Sequence, residues 1–429
     1  MRGGTFGKKA KPQVSKRSDQ GLEHKPWKLL LWAAVAGLVF GLIGFGEVAE
    51  DWLRVSRNSF HRHKASGQVV ILKIDDKSLH EIGNWPWPRS TDGALVERLT
   101  AVGVKRIFFD VNFSFPSNSR DDRALADALR NSGRVTLFTR SRSGIGRSAP
   151  SIVDLPLPEL AANAHLGVAS FHYNYQNAVW QVPYSAHVGQ QTLPSFASAI
   201  ANVTGPPGSE FRVDYSIKPD TIPSYSAGDV LTGAVGAKQL AGKDVLIGIS
   251  TDVVGDSYFI PGYGKSFGVN VHAIAAETLK AGTPIDLGWI PGFLLGFVAA
   301  AAALFRKRFA ERLTIFVAAF LALLVGPLFL ESRLIFADVT PGLFILLTVA
   351  TALAWRRYRT RGYVNPISNL PNLSALHANR VGPKQALVAA RILNYEEIVA
   401  ALPPNSERQA RAGRARLPIP PPPMALLGD

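Results

Sequence analysis

Val69-Val-Ile-Leu-Lys-Ile74 is an apolar run with a single polar residue, and Asp75-Asp76 end it. A short aliphatic run closed by turn-forming acids reads as a buried strand. Working outward, Ile82-Gly-Asn-Trp-Pro-Trp-Pro-Arg89 has too much Pro and Gly for regular structure. Ser90 or Thr91 can cap a helix with Ala94, Leu95, Leu99 and Val102 on one face. Arg106-Ile-Phe-Phe-Asp110 is a second strand ending in a carboxylate, and Asp121-Asp122 open a helix with Leu125 and Leu129 inward. Val135-Thr-Leu-Phe138 and Asp244-Val-Leu-Ile-Gly-Ile249 are further strands. Gly268-Val-Asn-Val-His-Ala273 leads into a helix that ends near Gly282. Strands alternating with helices imply an α/β layer with a mostly parallel sheet.

In such sheets ligands bind outside the carboxyl ends of the strands. Asp75, Asp76 and Asp110 fall at two such ends, and Ser250–Asp256 follow a third. Two readings stand side by side. The acids converge on a cation or polar ligand, or they cap helices and pair with Arg89 or Lys77.

The 429 residues carry 47 Lys plus Arg, 32 Asp plus Glu and no Cys. Without cysteine there is no disulfide framework, thiolate zinc site or iron–sulfur cluster. The net charge of +15 suggests nucleic acid until it is located. Residues 47–286 are neutral, with 23 charges of each sign, so the whole excess flanks apolar runs. That is the positive-inside pattern of a membrane protein, and no nucleic-acid partner is expected.

Four runs are expected to span a bilayer as transmembrane helices: 29–46, 287–305, 313–330 and 334–355. Each approaches the ~20 apolar residues needed to cross. The basic tail 1–28, Arg306–Arg312 and Arg356–Arg361 then share the cytoplasmic side, which leaves 47–286 outside. The first run exceeds a signal-peptide core and has no A-x-A site after it, so an uncleaved anchor is expected. Asp338 is read as an interfacial carboxylate, with a proton or ion role as the alternative. Pro291, Pro327 and Pro341 are candidate kinks, and the near absence of polar residues at mid-membrane argues against a transporter.

The runs VVILKIDDKSLHEIGNWPWPRS, IFFDVNFSFPSNSRDDRALADAL, LAGKDVLIGIS and GVNVHAIAAETLKAG, in that order, resemble the type 2 CHASE domain. That is an extracytoplasmic sensor of bacterial signalling receptors, and the likeness covers roughly residues 47–285. I-G-x-W-P-W-P-R is its most specific part. The resemblance implies one span before the sensor and three after it. Family members carry a D-G-x-x-R-like stretch where this chain has Asn177-Ala-Val-Trp-Gln-Val-Pro183, without the Asp or Arg. The candidate ligand-binding residues are Asp75, Asp76, Trp85, Trp87, Arg89, Asp110 and His272.

Catalytic patterns are missing: there is no H-E-x-x-H, G-x-S-x-G or G-x-x-x-x-G-K-[ST]. His61 and His63 read as solvated juxtamembrane residues, with metal ligation as the alternative. Ser141 to Ser148 reads as a surface loop. No metal or cofactor is expected.

After Arg361, Asn365-Pro-Ile-Ser-Asn-Leu-Pro-Asn-Leu resembles the D-x-L-T-G-L-P-N-R opening of GGDEF domains, which make or sense cyclic diguanylate. Leu370, Pro371 and Asn372 match, whereas Asn365 replaces the family's Asp and Asn369 its Gly. Residues 362–407 therefore read as a truncated α/β fragment of that domain. Residues 408–429, rich in Arg, Ala and Pro, read as a disordered tail. The composition change after Glu407 suggests out-of-frame translation, and a proline-rich docking tail is the alternative.

The expectation is a receptor of the bacterial inner membrane, with both termini cytoplasmic and the sensor periplasmic. It is homodimeric, binds an unidentified extracytoplasmic ligand, and is not an enzyme. The alternatives are a membrane scaffold acting through the Pro-rich tail and an active cyclic-diguanylate enzyme.

Overall fold

In a computed structural model of the protein, the described residues are 26–361, apart from 84, 143–151, 175, 207 and 253–254. The GGDEF-like opening at Asn365, Asn369, Leu370, Pro371 and Asn372 lies outside them. So do the tail 408–429 and most of the proposed loop at Ser141–Ser148, of which Ser141 and Arg142 extend a strand.

The described chain opens with helices α1 (Pro26–Leu42) and α2 (Glu47–Phe60) and enters a sheet at β1 (Val69–Ile74). Helices α3 (Asp76–Ile82) and α4 (Arg89–Ala101) lead to β2 (Arg106–Asp110), and α5 (Ser119–Ser132) leads to β3 (Val135–Arg142). β4 (Ile152–Asp154), β5 (His165–Val168), β6 (Ser224–Ser226) and β7 (Asp244–Ile249) complete a seven-stranded sheet. A hairpin of β8 (Ser257–Ile260) and β9 (Gly264–Phe267) then delivers α6 (Gly268–Ala281). Helices α7 (Ile290–Phe305), α8 (Phe309–Glu331) and α9 (Thr340–Arg361) follow.

The strand order is β6-β1-β7-β2-β3-β4, with β5 also paired to β3. All pairs are parallel except β3 with β4. Near-continuous apolar strands suit such a sheet because both faces are covered. Val69, Ile71, Phe108 and Leu246 face α6 in one core. Val70, Leu72, Ile107, Phe109, Val245 and Ile247 face α4 and α5 in the other. β7 meets α6 closely: a Cβ on Gly248 would lie 2.7 Å from Val269, so only glycine fits without displacing that side chain.

The four-span expectation is corrected. Among the described residues one helix, Phe309–Glu331, is long and apolar enough to cross a membrane on its own, and up to two are if the bent pair Trp27–Leu42 and Glu47–Phe60 acts as one span. Uncharged runs overstate helices because backbone turns consume their ends. Run 29–46 breaks after Leu42, and the chain bends 76° into α2, which carries Glu47, Glu50, Asp51, Arg54 and Arg57. Run 287–305 yields a helix of 16 residues. Run 334–355 begins as an extended segment at Ile335–Phe336, and its helix ends among arginines. Residues 29–305 are accordingly a mixed α/β fold.

Helices α1, α7, α8 and α9 nevertheless pack on one another through Ala33, Ala300, Leu323 and Ile345. Their outer faces expose Trp32, Val39, Val298, Leu321 and Phe329. The tightest approach is α7 to α9, where a Cβ on Gly342 would lie 2.1 Å from the Gly292 carbonyl oxygen. Backbone cannot yield there as a side chain would. Gly342→Ala is therefore expected to destabilise the chain by about 1–3 kcal/mol or more. Gly326→Ala, where nothing lies within 4 Å, should not. Thermal unfolding of the full chain in detergent distinguishes the two.

Candidate ligand cleft

A cleft of about 600 Å³ opens at the carboxyl ends of β2, β3, β5 and β7. Asp110 closes β2 and Arg140 lies near the end of β3. Ser170, Phe171 and Tyr173 follow β5, and Ile249 ends β7. Asp256 and Tyr258 enter from the start of the hairpin. The first turns of α6 supply Gly268, Val269 and His272.

His272 is 1% exposed and packs between rings, with Phe171 at 4.2 Å and Phe196 at 5.4 Å between centroids. Burial pushes its imidazole down to about 3, so the ring is neutral at ordinary pH. Its Nε2 lies 3.9 Å from the Asp110 carboxylate, too far for a hydrogen bond, and its Nδ1 has no hydrogen-bond partner among the described residues. Asp110 is pushed up to about 7 by burial and by the Asp256 carboxylate, with Arg140 opposing. Arg140 Nε donates to Asp154 at 3.1 Å, and its Nη1 lies 4.0 Å from Asp256. The Ser170 hydroxyl, also on the cleft, likewise has no partner among the described residues. Phe171 and Tyr258 meet edge to face at 5.2 Å, and Tyr173 lies 6.2 Å from Tyr258. Burial, then Asp256, raise the Tyr258 phenol to about 12, so it stays protonated.

Of the seven candidate ligand-binding residues, Asp110 and His272 meet at this cleft, joined by Asp256 from the segment after β7, and the other five do not line it. Asp75 caps α3. It accepts from the Ser78 amide at 2.9 Å and from the Ser78 and Ser226 hydroxyls, each at 2.8 Å. Burial alone would raise its carboxyl, but these hydrogen bonds hold it below the usual range. Asp76 is an exposed residue in the first turn of α3. Trp87 is buried in the α4–α5 core, donates to the Gly83 carbonyl and meets Trp85 edge to face. Arg89 lies 4.3 Å above the Phe113 ring and 3.6 Å from Asp92, an ion-pair separation longer than a hydrogen bond. Asp92 is fully buried, and burial, partly offset by Arg89, pushes it up to about 7. His63 lies 3.2 Å from the Ser216 hydroxyl. Among the described residues no group of three or more His, Asp or Glu is placed to hold a metal.

Arg140, Phe171, Tyr173 and Tyr258 escaped the sequence reading. The strand-end rule reaches Arg140 once β3 is extended past Phe138. The aromatics sit in irregular segments whose approach depends on the hairpin.

A second polar cluster joins the α/β domain to the helices. Asp338, before α9, accepts from Arg54 of α2 at 2.7 Å and from Arg212 at 2.8 and 3.0 Å. Arg212 also donates to Asp286 at 2.7 Å. Arg57 pairs with Glu331 at 2.7 Å and with Glu50 at 3.0 Å. Glu50 in turn accepts from the backbone amides of Val339 and Thr340, at 2.8 and 2.9 Å, capping the start of α9.

Compared with known proteins, the chain matches the CHASE2 domain family over residues 29–305. Neither the curated proteins nor the solved structures contain a match.

Two predictions separate cleft from scaffold. A carboxyl raised in the folded state contributes stability at low pH that is lost as pH rises through about 7. The melting temperature of Asp110→Asn should therefore gain on wild type as pH goes from about 5 to about 8; a constant gap would contradict the assigned environment. Arg89→Ala strands a buried Asp92 and should cost about 3–5 kcal/mol, read by denaturant unfolding.

Proposed function

The chain belongs to the CHASE2 domain family, an extracytoplasmic sensor family, and on that premise we propose that it is a sensory receptor. In this reading the cleft takes a small extracytoplasmic molecule and the polar cluster carries its effect to the helices. The observation that supports the cleft is the buried His272 at the strand ends, whose Nε2 lies 3.9 Å from the Asp110 carboxylate and whose Nδ1 has no partner among the described residues. Unsatisfied buried polar atoms are costly, and a ligand that satisfies them stabilises the arrangement that binds it.

The relay is proposed to run through Arg212 and Arg54, which hold Asp338 at the start of α9 from two sides. A ligand acts only through its differential affinity for two arrangements of these parts. The exposed apolar face of α8, the one described helix long and apolar enough to cross alone, is assigned to bilayer hydrocarbon, with the sensor on the outer side of a bacterial inner membrane. The functional unit is proposed to be a homodimer. The Asn365–Asn372 stretch supports an output of the cyclic-diguanylate class. We assign no catalytic step to it, because Asn365 and Asn369 depart from the family's Asp and Gly.

The absence of cysteine makes a single introduced thiol an unambiguous reporter. Ala354→Cys places one on the exposed surface of α9, away from the junction. In full-length chain in lipid nanodiscs, Ser170→Trp, which fills the cleft, should change the yield of the inter-copy disulfide formed by that thiol. Adding Arg54→Ala should abolish the change. Identical yields in all three backgrounds would refute the relay.

A further inference from the structure

The charge on the cleft wall is unbalanced. Asp110 and Asp256 both line it, and among the described residues Asp110 has no cation within hydrogen-bond distance. Arg140 offsets only part of this, because one guanidinium is shared among Asp154 at 3.1 Å, Asp256 at 4.0 Å and, more distantly, Asp110. His172 is paired with Glu210. His272 is buried among rings and adds no positive charge. An anionic ligand would thus face two carboxylates, while a cation would relieve their repulsion.

The remaining wall is aromatic. Phe171, Tyr173 and Tyr258 form a contiguous set of rings, of the kind that attracts an organic cation through the ring quadrupole. A bare metal ion suits the site poorly, since a cleft of about 600 Å³ has the dimensions of an organic ligand. His272, 1% exposed, lines the same wall with its Nε2 3.9 Å from Asp110.

We propose that the cleft binds a small organic cation, an amine or quaternary ammonium, with its charged nitrogen at Asp110 and Asp256 and its carbon skeleton against Phe171, Tyr173 and Tyr258. This deepens the sensory reading above by giving the chemical class of the signal. Tyr258 sits where it reads the ligand and also passes its position on, because β8 pairs with β9, whose last residue Phe267 precedes α6.

The test uses the full chain in detergent and equilibrium dialysis with choline and putrescine as probes, and propionate as an anion of similar size. Saturable binding of at least one cation is expected, with no competition by propionate. Asp110→Asn and Asp256→Asn should each weaken it, the former by roughly tenfold or more. Asp256 has a side chain 79% exposed, so its variant reports on binding without disturbing the fold. Tyr258→Leu should weaken choline more than putrescine. Binding of neither cation, cation binding indifferent to both Asn variants, or competition by propionate would overturn the proposal. The thiol reporter at position 354 separates the two readings. If Ser170→Trp shifts its disulfide yield while the cations fail to bind, the ligand class falls and the receptor stands. If the cations bind and the yield never moves, the ligand class stands and the relay falls.

Discussion

β7 is paired on both edges, to β1 in the register Val69↔Asp244 and to β2 in the register Asp244↔Arg106. It arrives more than a hundred residues after both partners, and until it arrives their facing edges lack hydrogen-bond partners. Buried edges of this kind must be satisfied, so its insertion fixes the relative register of β1 and β2. Asp244, fully buried at the start of β7, reinforces that register through Arg106 at 2.8 Å and Lys280 at 3.0 Å. Arg106 also donates to the carbonyls of Ala199 and Ile200, which ties the segment after β5 to the same end of the sheet.

The opposite end of the sheet is free because this one is tied. Four strands stop together there, and their following segments splay apart into the cleft. A parallel sheet covered on both faces has its open backbone ends as the natural place for a ligand. Low dielectric at those ends accounts for the shifts of Asp110 and His272 in opposite directions. Each is pushed toward its neutral form, Asp110 by the neighbouring Asp256 carboxylate as well as by burial.

The junction at Asp338 obeys a different rule. Two guanidiniums on one carboxylate, with Asp286 and Asp51 supplying further negative charge, form a network rather than an isolated pair. Removing one member of a buried network leaves the others uncompensated, so each member holds its partners in place. The pairing of Ile285–Asp286 with Ile335–Phe336 places Asp286 and Asp338 within reach of Arg212.

The sequence alone determined the α/β alternation, because apolar runs of strand length between amphipathic helices admit few other arrangements. It also placed Asp110 at a strand end and His272 at a helix start. Local pattern could not tell a cap from a ligand group. Asp75 and Asp110 both end apolar strands, yet Asp75 has serine donors three residues on and across in β6, and Asp110 has no such donors among the described residues. Uncharged runs likewise could not show where helices break, since the extended pair at Ile335–Phe336 is set by its pairing with the distant Ile285–Asp286. The cleft's aromatic wall and the Asp338 cluster were decided by tertiary structure. Their members lie up to 290 positions apart, and only the folded chain brings them together.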